Sequence, residues 1–492
     1  DRNHLRGYTL LRLDTVNGKI RPLTQGAPDY VHSWAIDRQG TLRAAISHFE
    51  GKSRLYWRTS AEMPWSKVSE WATYRDDHDE INLIAVDASN RLYVAGRRGK
   101  DADKSVLWRI DMTRPNIEWT ALMELDGYDF EGGPVMGRDN AVLGIRFLTD
   151  AQSTHWFDST LKALQARIDK ALPGRINEIS CGDCADPQKL LVTSWSDRQS
   201  PITYVFDAKA GSLAVLSESR PWLKGQAMAG REMRSVVARD GLRIPVHVTR
   251  PVGQKGPAPM VVLVHGGPYV RGGVWEWDAD SQFLASRGYV VLEPEYRGSV
   301  GFGAKHFRAG WKQWGLAMQD DIADATRWAI GEGIADAGRI CIAGASYGGY
   351  AALMGLIRYP DLYRCGVNWV GVTDLDLLFT SRWSDFSDMW REYGMPVLVG
   401  DREKDATQFA ATSPVRQAAK LTQPLLMAYG GVDRRVPIVH GITLRSAVES
   451  HNKNLEWTTY PDEGHGWMLE SNTFDFWTRV EKFLDRNLKP AN

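Results

Sequence analysis

Two hydrophobic rhythms divide the chain. Up to about residue 224, apolar positions come in short alternating runs broken by Asp, Asn and Gly: "SWAIDRQGTLRAAISHF", "LIAVDASNRLYVAGRR", "GPVMGRDNAVLGIRFL" and "ISCGDCADPQKLLVTSWS". Each reads as strand, turn, strand. Each is followed by a second pair of short runs, such as "SRLYWRTS", "SVLWRIDM", "STHWFDS" and "ITYVFDAKAG". The units begin near residues 30, 81, 130 and 174, a spacing of about 40–50 residues that matches a four-stranded propeller blade. That regular period favours a propeller over a β-sandwich, whose hairpins look similar one at a time. Ahead of the first unit, "YTLLRLDTVNGKIRPLTQG" supplies only the outer half of a further blade. The expectation is about four and a half blades, a propeller incomplete on its N-terminal side.

After "SRPWLKGQAMAG" the rhythm changes. "REMRSVVARDGLRIPVHVTRP" predicts a hairpin, and then unbroken apolar runs alternate with helical patterns. The runs are "PMVVLVHGG", "YVVLEPEY", "RICIAGAS", "CGVNWVGV", "PLLMAYGG" and "LEWTTYP"; the helices include "MQDDIADATRWAIGEG" and "VHGITLRSAVESHN". Strands that are apolar on every residue belong to a parallel sheet covered on both faces. The predicted fold class is therefore an α/β domain of the α/β-hydrolase type over residues 225–492, preceded by an all-β propeller over 1–224.

Composition adds exclusions. Among 492 residues, 60 basic side chains balance 60 acidic ones, so nothing points to nucleic acid or to an anionic membrane. No run reaches the ~18 apolar residues that a membrane helix needs. Four cysteines make no disulfide scaffold at this length. Cys181 and Cys184 form a lone C-x-x-C with no second pair at zinc spacing, which leaves a local disulfide or two free thiols; Cys341 and Cys365 fall in apolar runs and are expected to be buried. The chain starts "DRNHLRG", without Met. The expectation is a lost start, and a compartment that is cytoplasmic, or periplasmic or secreted if a signal peptide preceded it.

The candidate chemistry centres on "GASYGGY" at residues 344–350. A G-x-S-x-G sequence between an apolar strand and a helix is the context of a nucleophile elbow, and Ser346 is its serine. Glycines at 344 and 348 let strand and helix approach closely. A serine hydroxyl needs a base, and this fold orders its residues Ser, then Asp or Glu, then His, each past a strand end. Asp433 in "GVDRRVP" follows one apolar run and His465 in "DEGHGW" follows the next. Asp433 could instead cap the following helix. Asp462 and Glu463 are rival acids, but they share the histidine's own loop. For the oxyanion, the N–H of Tyr347 and that of Gly267 in "VVLVHGGPY" are the candidate donors.

With "HGGP", "YRGSVGFG", "GASYGGY", "DRRVP" and "DEGHGW" in this order, residues 228–492 resemble the prolyl oligopeptidase family of serine peptidases, most of all its acylaminoacyl-peptidase and dipeptidyl-aminopeptidase-like branch. The resemblance implies a peptidase for short peptides whose propeller caps the active site and excludes folded proteins. By position in the matching motifs, it implies that Arg435 and Val436 lie near the bound peptide and that Val372 and Leu375 line the pocket for the residue before the cut. Family propellers commonly have more blades than are visible here, and the paired-glutamate motif by which dipeptidyl peptidases hold a free N-terminus is not evident. Where some members place an oxyanion-binding tyrosine, this chain has His265, as acylaminoacyl-type members do.

The function expected is hydrolysis of short peptides by acyl transfer through Ser346, Asp433 and His465, with no metal or organic cofactor called for and homo-oligomerisation left open. An esterase on the same domain is the first alternative, because fold and triad do not set the substrate. A non-catalytic propeller-based binding protein is the second.

Overall fold

Asp37 and Asp87 show how the first half turns. Each follows the first strand of its unit, and each carboxylate accepts backbone N–H groups two and four residues on: Gln39 and Thr41 for Asp37, Ser89 and Arg91 for Asp87. These are Asx turns, in which the side chain stands in for a backbone acceptor. The computed structural model describes residues 7–74, 80–87, 89–99, 101–114, 117–137, 141–182, 184, 187–381 and 384–489.

Three antiparallel sheets have four strands each, hydrogen-bonded in chain order: residues 31–72, 80–123 and 176–218. In the first two of these sheets the second strand is the most buried and the fourth the most exposed, as in a blade running from the axis to the rim. A two-stranded piece, Leu11–Leu13 with Ile20–Pro22, stands where half a blade was expected. The third unit differs from expectation. It has three strands, Gly132–Met136, Val142–Leu148 and Gln152–Trp156, and a helix, Ser159–Ala171, follows where the outer strand was read. The helix buries Leu161, Leu164 and Ile168, one face at helical spacing, and Asp158 caps it by accepting the Leu161 N–H. That face packs on Ile179, Leu190 and Phe206 of the next blade.

The second half is one eight-stranded sheet: β1 Gly230–Val237, β2 Arg243–Arg250, β3 Ala258–Val264, β4 Val290–Pro294, β5 Ala335–Ala345, β6 Cys365–Trp369, β7 Leu425–Gly430 and β8 Leu455–Tyr460. The order is β1-β2-β4-β3-β5-β6-β7-β8, antiparallel at β1-β2-β4 and parallel from there on. Alternate residues of each strand feed two cores. Met260, Val262, Ile340 and Ile342 face one, with helices α2 (Ala317–Gly331) and α3 (Tyr347–Arg358). Val261, Cys341 and Val367 face the other, with α1 (Ala279–Ser286) and α5 (Glu470–Leu488); α4 (Val439–Val448) lies between β7 and β8 in the chain. Both faces are covered, which is why these strands carry no polar alternation.

Cys181 and Cys184 are joined in a disulfide, and Cys341 and Cys365 are buried thiols opposite each other on β5 and β6. Among the described residues no helix is long and apolar enough to cross a membrane.

The blades hold the sheet domain at one loop above all, the segment 301–305 between β4 and α2. Asp129 N–H donates to Gly301 O, Lys104 Nζ to Phe302 O, Gly303 N–H to Asp129 Oδ2, Ala304 N–H to Asp103 O and Lys305 N–H to Asp103 Oδ1. A second tie joins the Trp275 N–H to Asp150 O at 2.7 Å.

Candidate active site

Ser346 sits between the end of β5 and the start of α3 with φ 58° and ψ −120°, a left-handed conformation that costs a non-glycine residue free energy and persists only when its surroundings hold it. The surroundings are backbone. A Cβ on Gly348 would lie 2.0 Å from Val264 O, and one on Gly344 would lie 2.5 Å from the Gly348 carbonyl carbon. Strand and helix meet at a separation that only glycine allows. The Ser346 N–H donates to Trp369 O at the end of β6, its carbonyl accepts the Tyr350 N–H, and its side chain is half-buried beside Gly266.

Two loops away, His465 follows β8 and Asp433 follows β7, its parallel neighbour. His465 Nδ1 and Asp433 Oδ2 are 2.7 Å apart, and the Asp433 side chain is fully buried. The other oxygen, Oδ1, accepts the N–H groups of Arg435 (2.8 Å) and Val436 (3.0 Å). Those amides fix the carboxylate, and an Nδ1–H donated to it leaves the lone pair on Nε2. Asp433 therefore closes a turn and does not cap α4, whose first turn starts after Ile438. The rival Glu463 is occupied by the N–H groups of Met468 and Leu469. Among the described residues no hydrogen bond joins Ser346 to His465, whose side chain is partly exposed.

Tyr347 is the first residue of α3, where an N–H has no acceptor within the helix, and Gly267 follows β3 at φ 114°. Neither N–H enters a backbone hydrogen bond among the described residues. The loop that carries Gly267 is firmly held. Glu295, 1% exposed, accepts the N–H groups of Gly272 (2.9 Å) and Gly273 (2.7 Å). His265 stacks on Tyr296 at 4.4 Å and reaches Ser299 Oγ and Gly266 O with its two ring nitrogens. Its ring is thus an anchor for the loop.

Residues 275–491 match the family model described as the Prolyl oligopeptidase family. The sheet domain belongs to the prolyl oligopeptidase family. It is 30% identical over 410 residues to "Dipeptidyl aminopeptidase BIII" of Pseudoxanthomonas mexicana, covering 80% of this chain and 57% of that protein. To the "Acylamino-acid-releasing enzyme" of Homo sapiens it is 30% identical over 228 residues, 45% of this chain and 30% of that one. The chain thus spans little more than half of the first of these relatives. Among solved structures, that of a Mycobacterium tuberculosis puromycin-hydrolyzing peptidase superposes with a TM-score of 0.76 at 19% identity, over 96% of this chain and 72% of that one. This is a likeness of fold: blades before an α/β-hydrolase sheet.

The four residues that the prolyl oligopeptidase resemblance places near substrate lie in two settings. Val436, Val372 and Leu375 are buried in the larger core of the sheet domain and expose at most 2% of their surface. Arg435 is exposed, pairs with Asp385 through Nε and Nη2 (3.0 Å), and lies over the Phe386 ring. The Arg435 hydrogen bonds outweigh burial and hold the Asp385 carboxyl below its usual range, with the nearby His465 adding to the effect. Phe386 also meets Trp390, which touches Tyr269 of the Gly267 loop and Tyr74 of the first blade. Motif reading missed this aromatic wall. The only trace in the sequence is the aromatic density of "DFSDMWREY".

Proposed function

We propose that the chain is a serine peptidase that hydrolyses short peptides, with Ser346, Asp433 and His465 as its catalytic residues. The observation that carries the reading is the buried Asp433 carboxylate, fixed by two amides and 2.7 Å from His465 Nδ1, in a chain that also holds Ser346 in a left-handed elbow between β5 and α3. Names of relatives that release amino-terminal units support peptides as substrates. The propeller is taken as residues 1–224 and the hydrolase domain as 225–492, the blades screening the site from folded proteins.

In the reaction, Ser346 Oγ attacks the scissile carbonyl carbon and its proton passes to His465 Nε2. Asp433 keeps its charge and supports the imidazolium. The carbonyl oxygen becomes an oxyanion, accepting from the Gly267 and Tyr347 N–H groups, each worth roughly 3–4 kcal/mol in the transition state. The C–N bond then breaks, His465 returns the proton to the leaving amine, and water repeats the sequence on the acyl-enzyme to free the acid. Arg435 meets the peptide chain at the rim. Val436, Val372 and Leu375 set the shape of the pocket for the residue before the cut from beneath its surface.

The test pairs wild type with Ser346→Ala on peptide p-nitroanilides and simple esters. Wild type is expected to turn over the anilides, and Ser346→Ala to lose that activity with its fold intact. Full activity in Ser346→Ala would refute the assignment, and turnover of esters alone would favour the esterase.

A further inference from the structure

Glu463 lies two residues before His465 and is 2% exposed, yet its carboxylate never touches the histidine. It is spent on the loop instead. Oε2 accepts the Met468 N–H, and Oε1 accepts the Leu469 N–H and the Asn472 Nδ2–H, all at 2.9 Å. Leu469, which precedes the first residue of helix α5, has no capping side chain, and the buried carboxylate holds the entry to the helix through the Met468 and Leu469 N–H groups and the Asn472 side chain, at the end where the helix dipole favours an anion. The backbone of the same residue reaches the other way. Glu463 O accepts the Val432 N–H at 3.0 Å, one residue before Asp433, and a Cβ on Gly430 would lie 2.5 Å from Glu463 O. One residue therefore fixes three things to each other: the Asp433 turn, the His465 loop and the first turn of α5.

We infer that Glu463 is a positioning residue, which sets the Asp433–His465 pair by clamping the loop that carries the histidine to the loop that carries the acid. The inference rests on the catalytic reading of Ser346, Asp433 and His465, and it adds a requirement that reading does not contain. His465 has a partly exposed side chain and, among the described residues, one side-chain hydrogen-bond partner, Asp433. Its aim thus depends on the backbone between residues 463 and 469, and that backbone is held by the Glu463 carboxylate.

The test uses the full chain with Glu463→Gln and Asn472→Ala. Glutamine keeps the shape and one acceptor oxygen but turns an N–H group toward the Met468 N–H. Three readouts are taken: kcat and KM on a p-nitroanilide peptide, the rate of Ser346 labelling by a fluorophosphonate, and the low-field proton NMR signal of His465 Nδ1–H. Glu463→Gln is expected to lower kcat and labelling about ten- to a hundredfold, the scale of a misplacement near 1 Å. KM should stay within about threefold, since substrate contacts are untouched. The low-field signal should broaden or vanish. A folded Glu463→Gln with wild-type kcat, labelling and low-field signal overturns the inference, even if its melting temperature falls. If Glu463→Gln does not accumulate as folded protein, Asn472→Ala decides: slower labelling in a folded chain supports the clamp, and a wild-type rate refutes it. Failure of the catalytic reading looks different, with Ser346→Ala still active and unlabelled wild type, and the low-field signal then still reports on the clamp.

Discussion

Adding one methyl group at Gly348 tests whether the elbow works by close backbone approach. A Cβ there would stand 2.0 Å from Val264 O, 2.9 Å from the Val264 carbonyl carbon and 3.2 Å from His265 O. A carbon–oxygen contact is comfortable at about 3.3 Å, so the gap must open by about 1 Å. Both sides of it are main chain: the end of β3 and the second residue of α3. No rotamer change relieves the clash, and α3 has to back away, carrying Ser346 and the Tyr347 N–H with it. Gly348→Ala is therefore expected to cost about 1–3 kcal/mol in stability and about a hundredfold in reactivity. Gly331→Ala is the control. That residue ends α2 on the surface, and a Cβ there meets nothing within 4 Å. Its reactivity should be that of wild type, and its stability should rise by about 0.5–1 kcal/mol. Urea unfolding gives the first quantity and the rate of fluorophosphonate labelling the second, taken where all three proteins are folded. A Gly348→Ala chain that labels and unfolds like wild type would show that the glycine is not needed for the approach.

Asp433→Asn should lose about 10³–10⁴-fold in kcat with little change in KM: the Arg435 and Val436 amides retain the amide oxygen, its NH2 faces His465, and the ring is forced to carry its proton on Nε2. A loss below about tenfold would argue that the tautomer is not set by Asp433. His440 gives a pH signature. Its ring is fully buried, Nδ1 accepts the Thr373 N–H, and burial holds the imidazole down to about 4. The unfolded chain binds a proton that the fold refuses, so this stability is complete above the ordinary histidine value near 6.5 and is lost as pH falls toward 4. His440→Gln does not titrate. Its stability deficit against wild type should shrink by up to about 3 kcal/mol between pH 7.5 and 4 in urea unfolding, and an unchanged deficit would contradict the buried neutral ring.

Much of this fold was readable because burial on both faces leaves a strong trace. The inner strands β3 and β7 are unbroken apolar runs, and even the edge strand β8, with Glu456, Thr458 and Thr459 among its residues, is marked by its apolar positions, so the separate strand ends at Asp433 and His465 could be read off. The helix Ser159–Ala171 was missed for the opposite reason. Leu161, Leu164 and Ile168 have helical spacing, but the repeat in its neighbours argued for a fourth strand, and the local spacing won. Chain order favoured Asp433 over Glu463, yet nothing local tells that Glu463 accepts from residues five, six and nine positions on. That depends on how the loop closes. Val372, Leu375 and Val436 show a second limit, because an apolar residue beside a motif reads alike whether it walls a pocket or fills the core behind one.

The ties at residues 301–305 bear on how this protein can be taken apart. Each of those five residues has one main-chain group satisfied by Asp103, Lys104 or Asp129 of the blades. Two residues of chain upstream, Ser299 Oγ is the partner of His265, whose loop carries Gly267. Cutting the chain near residue 225 would leave a run of orphaned donors and acceptors next to the oxyanion loop, each costing about 1–3 kcal/mol if it stayed out of water. A hydrolase unit expressed alone would need water or a new partner along that seam. The blades are then a structural support of the loop in addition to the screen proposed for them, and exchanging blades between relatives is expected to alter turnover as well as access.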